Sequence, residues 1–171
     1  TFAELRDDAA RVRAALSALG VTAADACGAY MPNVGETIVE MLGATSTGAT
    51  WSSCSPDFGA RAVADRFGQI GPKVLFVADG FVSAGKTTSV LDKVEELVLA
   101  LPTLERVVVL RLVTPPGEPI PWSSDAVAAL AVEYDAFLEA GSASATALGL
   151  AAPAMAYDRV PFTHPQFVLY S

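Results

Sequence analysis

Four residues in the stretch DGFVSAGKTTSV (79–90) carry the first chemical signal. Gly80, Gly85, Lys86 and Thr87 stand at the spacing G-x-x-x-x-G-K-[ST]. In nucleotidases that spacing wraps backbone N–H groups around phosphates, with the Lys on the outer phosphates and the hydroxyl on Mg²⁺. The setting suits it: the apolar run KVLFVA precedes, and VLDKVEELVLAL follows at helical spacing. The rest of such a site is harder to find. A second strand should end in an acid that holds Mg²⁺, yet the best candidate, RVVVLRLV, runs into Thr114 and Pro115. Asp79 ends a strand but directly precedes the loop. Phe81 and Val82 are bulky where backbone should close on phosphate. Beside a P-loop nucleotidase or kinase built on 80–87 stand two other readings. One is an ordinary strand-to-helix turn with an exposed Lys86, the other a non-catalytic α/β binding module.

Other chemistry-bearing residues are sparse. Cys27 and Cys54, the only cysteines, lack metal-ligand or C-x-x-C spacing and read as small buried apolar groups. Two free thiols imply a reducing, cytoplasmic setting. His164, the only histidine, lies in a turn without a partner carboxylate and reads as structural; no Ser-His-Asp set can be assembled. Arg61 and Arg66 do not share a helix face well; Arg61, near the turn, reads as a solvated surface residue. The net charge of −8 argues against nucleic-acid binding. No apolar run reaches the roughly 20 residues that span a bilayer.

The elements that must position these residues alternate. Leu5, Ala9, Val12, Leu16 and Leu19 repeat at helical spacing and Gly20 closes the helix. ACGAYM reads as a buried strand, 35–46 as a helix, GATWSS as a strand, and SPDFGARAVADRFGQI as a turn and helix. KVLFVA is a strand, 92–101 a helix, and RVVVLRLV a β-branched run typical of a parallel interior. This order predicts an α/β fold: a Rossmann-like three-layer sandwich, a mainly parallel sheet with helices on both faces. After Val113 the signals weaken. TPPGEPIPW reads as a surface loop, EAGSASATALGLAAPAMA as linker or weak helix, and QFVLYS as a last strand. Residues 1–171 read as one α/β subdomain, cut from a longer chain.

Three long strings resemble the adenylate-forming acyl-CoA synthetases: TFAELRDDAARVRAALSALGV, AYMPNVGETIVEMLGATSTGATWSSCSPDFGA and PFTHPQFVLYS. The sharpest text, WSSCSPDFGARAVADRFGQIGPKVLF, is similar to the acetoacetate-activating branch. The resemblance implies ATP, coenzyme A and Mg²⁺ as cofactors, acetoacetate as acid, and the rest of the same polypeptide as partner, with neither nucleic acid nor membrane. It assigns no catalytic residue and no Mg²⁺ ligand to this stretch. In the related acetyl-CoA branch, an Arg-x-Gly-Arg-like loop contacts the phosphates at the nucleotide end of coenzyme A. Ser83, Ala84, Gly85 and Lys86 fall on that loop. Lys86 keeps the terminal charge, but Ser83 replaces the first Arg and with it the bidentate fork. The resemblance gives Arg61 a second reading, as an aid to a coenzyme A phosphate. Trp51, Ser52 and Ser53 match the segment lining the coenzyme A tunnel; Trp51 serves there or caps the sheet as packing. Ser171 would begin the ATP loop.

Overall fold

The chain is described by a computed structural model over residues 1–147 and 152–170. Helix α1 (Phe2–Ala18) starts on a reciprocal cap: the Thr1 hydroxyl accepts from the Glu4 N–H and the Glu4 side chain reaches back. There follow β1 (Ala26–Tyr30), α2 (Gly35–Ser46), β2 (Thr50–Cys54), α3 (Ala60–Phe67) and β3 (Val74–Ala78). A short pair, β4 (Gly80–Ser83) and β5 (Lys86–Ser89), precedes α4 (Leu91–Ala100) and β6 (Arg106–Leu110). The chain continues as α5 (Asp125–Leu130), β7 (Ala131–Glu133) and α6 (Tyr134–Ala147).

Five strands form one parallel sheet in the order β2-β1-β3-β6-β7. Each inner strand alternates its side chains between two cores, as the two-residue pleat requires. Val74, Phe76, Ala78, Val108 and Leu110 face α1, α2 and α6. Leu75, Val77, Val107 and Val109 face α3, α4 and α5. This is the three-layer sandwich expected from the alternating pattern, with KVLFVA and RVVVLRLV as parallel neighbours. Strand order reverses between β1 and β3, so their carboxyl ends frame the crevice where such sheets take ligands.

Two expectations need correction, and the linker-or-helix reading of the small-residue stretch resolves to helix over its described start. RVVVLRLV is strand only to Leu110, because Asp79 captures the backbone of residues 112–114. Its Oδ1 accepts the N–H groups of Leu112 (2.7 Å) and Val113 (3.0 Å), and its Oδ2 that of Thr114 (2.8 Å). Asp79 is fully buried, and its charge is met by three backbone donors in place of a sheet ladder. The small-residue stretch is helix to Ala147. Its small side chains let α6 lie close on α1: a Cβ on Gly141 would sit 2.1 Å from the Arg11 carbonyl oxygen. The last segment is not a full strand, although it lies parallel to β2 through a bridge from Trp51 to Phe167.

Candidate functional site

The 80–87 motif folds as an antiparallel hairpin. Gly80 pairs with Ser89, Phe81 with Thr88, Val82 with Thr87 and Ser83 with Lys86. Ala84 and Gly85 form the turn, with φ of 50° and 75°. Two positive φ values give the mirror-image turn that matches strand twist. Gly85 supplies that backbone without strain, whereas Ala84 holds it at a cost. Nothing lies within 4 Å of a Cβ placed on Gly85, so conformation alone calls for that glycine. Gly80 answers to space: its Cβ would stand 2.5 Å from the Thr88 carbonyl oxygen.

This geometry overturns the P-loop reading and the strand-to-helix turn alike. A phosphate-cradling loop needs its Lys and Thr at the opening of a helix. Here Lys86 and Thr87 belong to β5, and α4 begins only at Leu91. The hairpin springs from the carboxyl end of β3, beside the strand-order reversal. Ser83 through Lys86 are all exposed. Among the described residues Lys86 has no carboxylate partner, which leaves its ammonium open to an anionic ligand.

The β2 residues part company. Trp51 is buried, its ring 5.9 Å from that of Phe76, which meets Phe137 edge-on at 5.9 Å. The Ser52 hydroxyl donates to the Val168 carbonyl at 2.8 Å. Ser53 alone of the three turns outward. Ser171 lies outside the described residues. Burial pushes the Cys27 thiol up to about 12, with Asp25 adding to it, and burial raises Cys54 as well. Both are protonated, unreactive thiols at neutral pH. His164 places Nε2 2.6 Å from the Gly48 carbonyl, the contact of an N–H donor that pins a loop.

Sequence reasoning misses two features near the carboxyl ends. Tyr30 is fully buried, and its hydroxyl meets the carbonyls of Pro56 (2.9 Å) and Phe58 (2.7 Å), fixing the turn before α3. Burial, then Asp57 and Cys54, pushes its phenol up to about 12, so it remains a donor. Arg66, to which the sequence assigns no role, is half-buried, its guanidinium carbon 4.6 Å from the Phe58 ring centroid and 6.0 Å from that of Tyr170. A pairing with residue 170 leaves no local trace in the sequence. No described helix is long and apolar enough to cross a membrane.

Comparison with known proteins fits this architecture. The family model "AMP-binding enzyme" matches residues 1–156. The acetoacetyl-CoA synthetase of Mus musculus is 40% identical over 171 residues, covering 100% of this chain and 24% of the relative. Malonamoyl-CoA synthetase vrtB of Penicillium aethiopicum is 34% identical over the same length, which is 22% of its own. The solved structure of acetoacetyl-CoA synthetase from Streptomyces lividans matches with a TM-score of 0.82 at 38% identity, over 100% of this chain and 23% of that one. The chain thus spans about a quarter of the length of the curated relatives it matches. Since the family model takes in all but the last segment of a fold that aligns end to end with those relatives, the chain belongs to the AMP-binding enzyme family.

Proposed function

We propose that this chain is the first α/β subdomain of an ATP-dependent, cytoplasmic acyl-CoA synthetase whose acid is acetoacetate. The observation that carries the reading is the end-to-end likeness, 40% in sequence and 0.82 in TM-score, to proteins named for acetoacetyl-CoA synthesis. In the intact protein the carboxylate oxygen would attack the α-phosphorus of ATP, displacing pyrophosphate and leaving acyl-AMP. The thiol of coenzyme A, losing its proton, would then attack the acyl carbon and release AMP. Ser171, directly after Tyr170, would begin the loop that takes the ATP phosphates, and residues outside this chain would supply the rest of the ATP and Mg²⁺ sites. The malonamoyl relative narrows the acid class, because malonamate and acetoacetate share a carboxylate, a methylene and a carbonyl and differ only in NH₂ against CH₃.

The contribution of this stretch is scaffold and a phosphate contact. Ser83, Ala84, Gly85 and Lys86 form an open, singly cationic hairpin tip at the ligand-taking end of the sheet. In a chain of net charge −8 a polyanion needs such a local cation. Lys86 would meet a phosphate at the nucleotide end of coenzyme A as a point charge, and the Ser83 hydroxyl would add a hydrogen bond. The outward hydroxyl of Ser53 is the one β2 side chain free to join a ligand path. Trp51 and Ser52 would shape that path from behind.

Supplying the intact protein with ATP, Mg²⁺, coenzyme A and a panel of short acids tests the reading. Acetoacetate-dependent formation of AMP and a thioester is expected, with malonamate the next best acid and acetate poor. Thioester formation with acetate but not acetoacetate would overturn the acid assignment. No thioester with any acid would overturn the activity.

A further inference from the structure

The segment before residue 171 is held unevenly along its length. Thr50 Oγ1 donates to the Pro165 carbonyl (2.9 Å), the Trp51 N–H to that of Gln166 (2.9 Å), and Ser52 Oγ to that of Val168 (2.8 Å). The Val168 N–H returns to the Trp51 carbonyl at 3.0 Å. Strand β2 thus fixes residues 165–168. Beyond them Leu169 is exposed, and the next anchor is Tyr170, whose hydroxyl donates to the Arg66 carbonyl at 2.6 Å. Arg66 stands in the last turn of α3, its guanidinium over the Phe58 ring at 4.6 Å and over the Tyr170 ring at 6.0 Å. Among the described residues no carboxylate pairs with it, so the two aromatic faces take the place of a counter-ion.

The geometry points to Arg66 as a positioning residue: with Phe58 it clamps Tyr170 and so sets the direction in which the chain leaves the edge of β2. Backbone carbonyl, guanidinium face and phenol ring meet at the one point where the sheet no longer holds the segment. The consequence for catalysis rests on the function proposed above, in which an ATP-phosphate loop comes after Tyr170. A clamp one residue before that loop would fix its starting point over the carboxyl end of β2. Arg66 would then act on ATP binding through Tyr170, without touching ATP.

Two readouts test this separately. The first is backbone amide exchange of Trp51 and Val168 in this chain, compared among wild type, Arg66→Ala and Tyr170→Phe. Removing the stack is expected to speed exchange about tenfold at Val168, whose N–H makes the last backbone hydrogen bond of the segment, while the Trp51 amide changes little. Tyr170→Phe, which keeps the ring and loses the hydroxyl, should lie between. Rates for Arg66→Ala within about twofold of wild type at Val168 would overturn the clamp, as would equal acceleration at Trp51. The second readout is ATP–pyrophosphate exchange by the intact protein. Arg66→Ala and Tyr170→Ala should each raise the KM for ATP by about tenfold with kcat little changed, and the double variant should be no worse than either. Additive effects, or a collapse of kcat with KM unmoved, would overturn the positioning role. A wild type without exchange activity would instead refute the synthetase reading and leave the clamp to be judged by amide exchange.

Discussion

Glu40 carries a pH dependence that can be worked out from its surroundings. It stands in α2 with only 1% of its surface exposed, and neither carboxylate oxygen has a hydrogen-bond partner. Burial, and then the nearby carboxylate of Glu36, raises its pKa well above the usual value. An ionised carboxylate left unpaired in such a site costs several kcal/mol, so the folded chain holds Glu40 as the neutral acid. The unfolded chain releases that proton above a pKa of about 4.3. Between the unfolded value and the raised folded value the native state therefore binds one more proton than the unfolded state. Stability from this group is fully present below pH ~4.3 and declines as pH rises through the window, by about 1.4 kcal/mol per pH unit. The decline flattens once pH passes the folded value. Urea unfolding of wild type and Glu40→Gln at pH 5, 6 and 7 isolates the effect, since other titrating groups cancel in the difference. Glu40→Gln should gain on wild type by about 1.4 kcal/mol per unit at first. A difference that stays constant with pH would refute the buried neutral acid.

Two stability predictions accompany it. Asp79→Ala strands three part-buried N–H groups and should cost about 2 kcal/mol in denaturant unfolding, with Asp79→Asn recovering part of it because one acceptor oxygen remains; a loss below about 0.5 kcal/mol would refute the clamp on 112–114. Gly141→Ala brings a methyl group onto the Arg11 carbonyl and should cost about 2 kcal/mol by prying α6 from α1, measurable as a lowered Tm. An unchanged Tm would mean that the two helices part without cost.

How far the residues alone disclose this molecule depends on the range of the forces involved. The β-branched runs KVLFVA and RVVVLRLV declare buried parallel strands because both of their faces meet helices, a local property of composition. The bounds of α2 are legible for a similar reason: Pro32 and Asn33 stop the strand before it, and its apolar side chains repeat at helical spacing. The hairpin at 80–89 is not legible as such. Its turn is Ala-Gly, not the Asn-Gly or Asp-Gly that announces a mirror-image turn, and the G-x-x-x-x-G-K-T coincidence points to a loop and helix. The alanine-, glycine- and serine-rich 139–156 stretch has the composition of a linker, yet Gly141 and Ala145 are small because α1 lies against them. The grips of Asp79 on 112–114 and of Arg66 on Tyr170 join residues some 33 and 104 positions apart. Neither leaves a periodic or local mark. In the candidate site the residue types at 83–86 and the cation at Lys86 are visible in the sequence, whereas the burial of Trp51 against Phe76 emerges only from the packed core and the engagement of Ser52 by Val168 only from the last segment lying on β2.

Lys86→Ala in the intact protein decides which phosphate Lys86 meets. The nucleotide end of coenzyme A does not react, so a contact there contributes equally to ground and transition states. An exposed, salt-screened Lys–phosphate contact is worth about fivefold. The KM for coenzyme A should therefore rise about fivefold, and less at high salt, while acetoacetate-dependent ATP–pyrophosphate exchange measured without coenzyme A stays within about twofold of wild type. A fall of about a hundredfold in that exchange, the scale for losing a charge partner of the transition state, with the KM for coenzyme A unmoved, would place Lys86 on ATP and contradict the account.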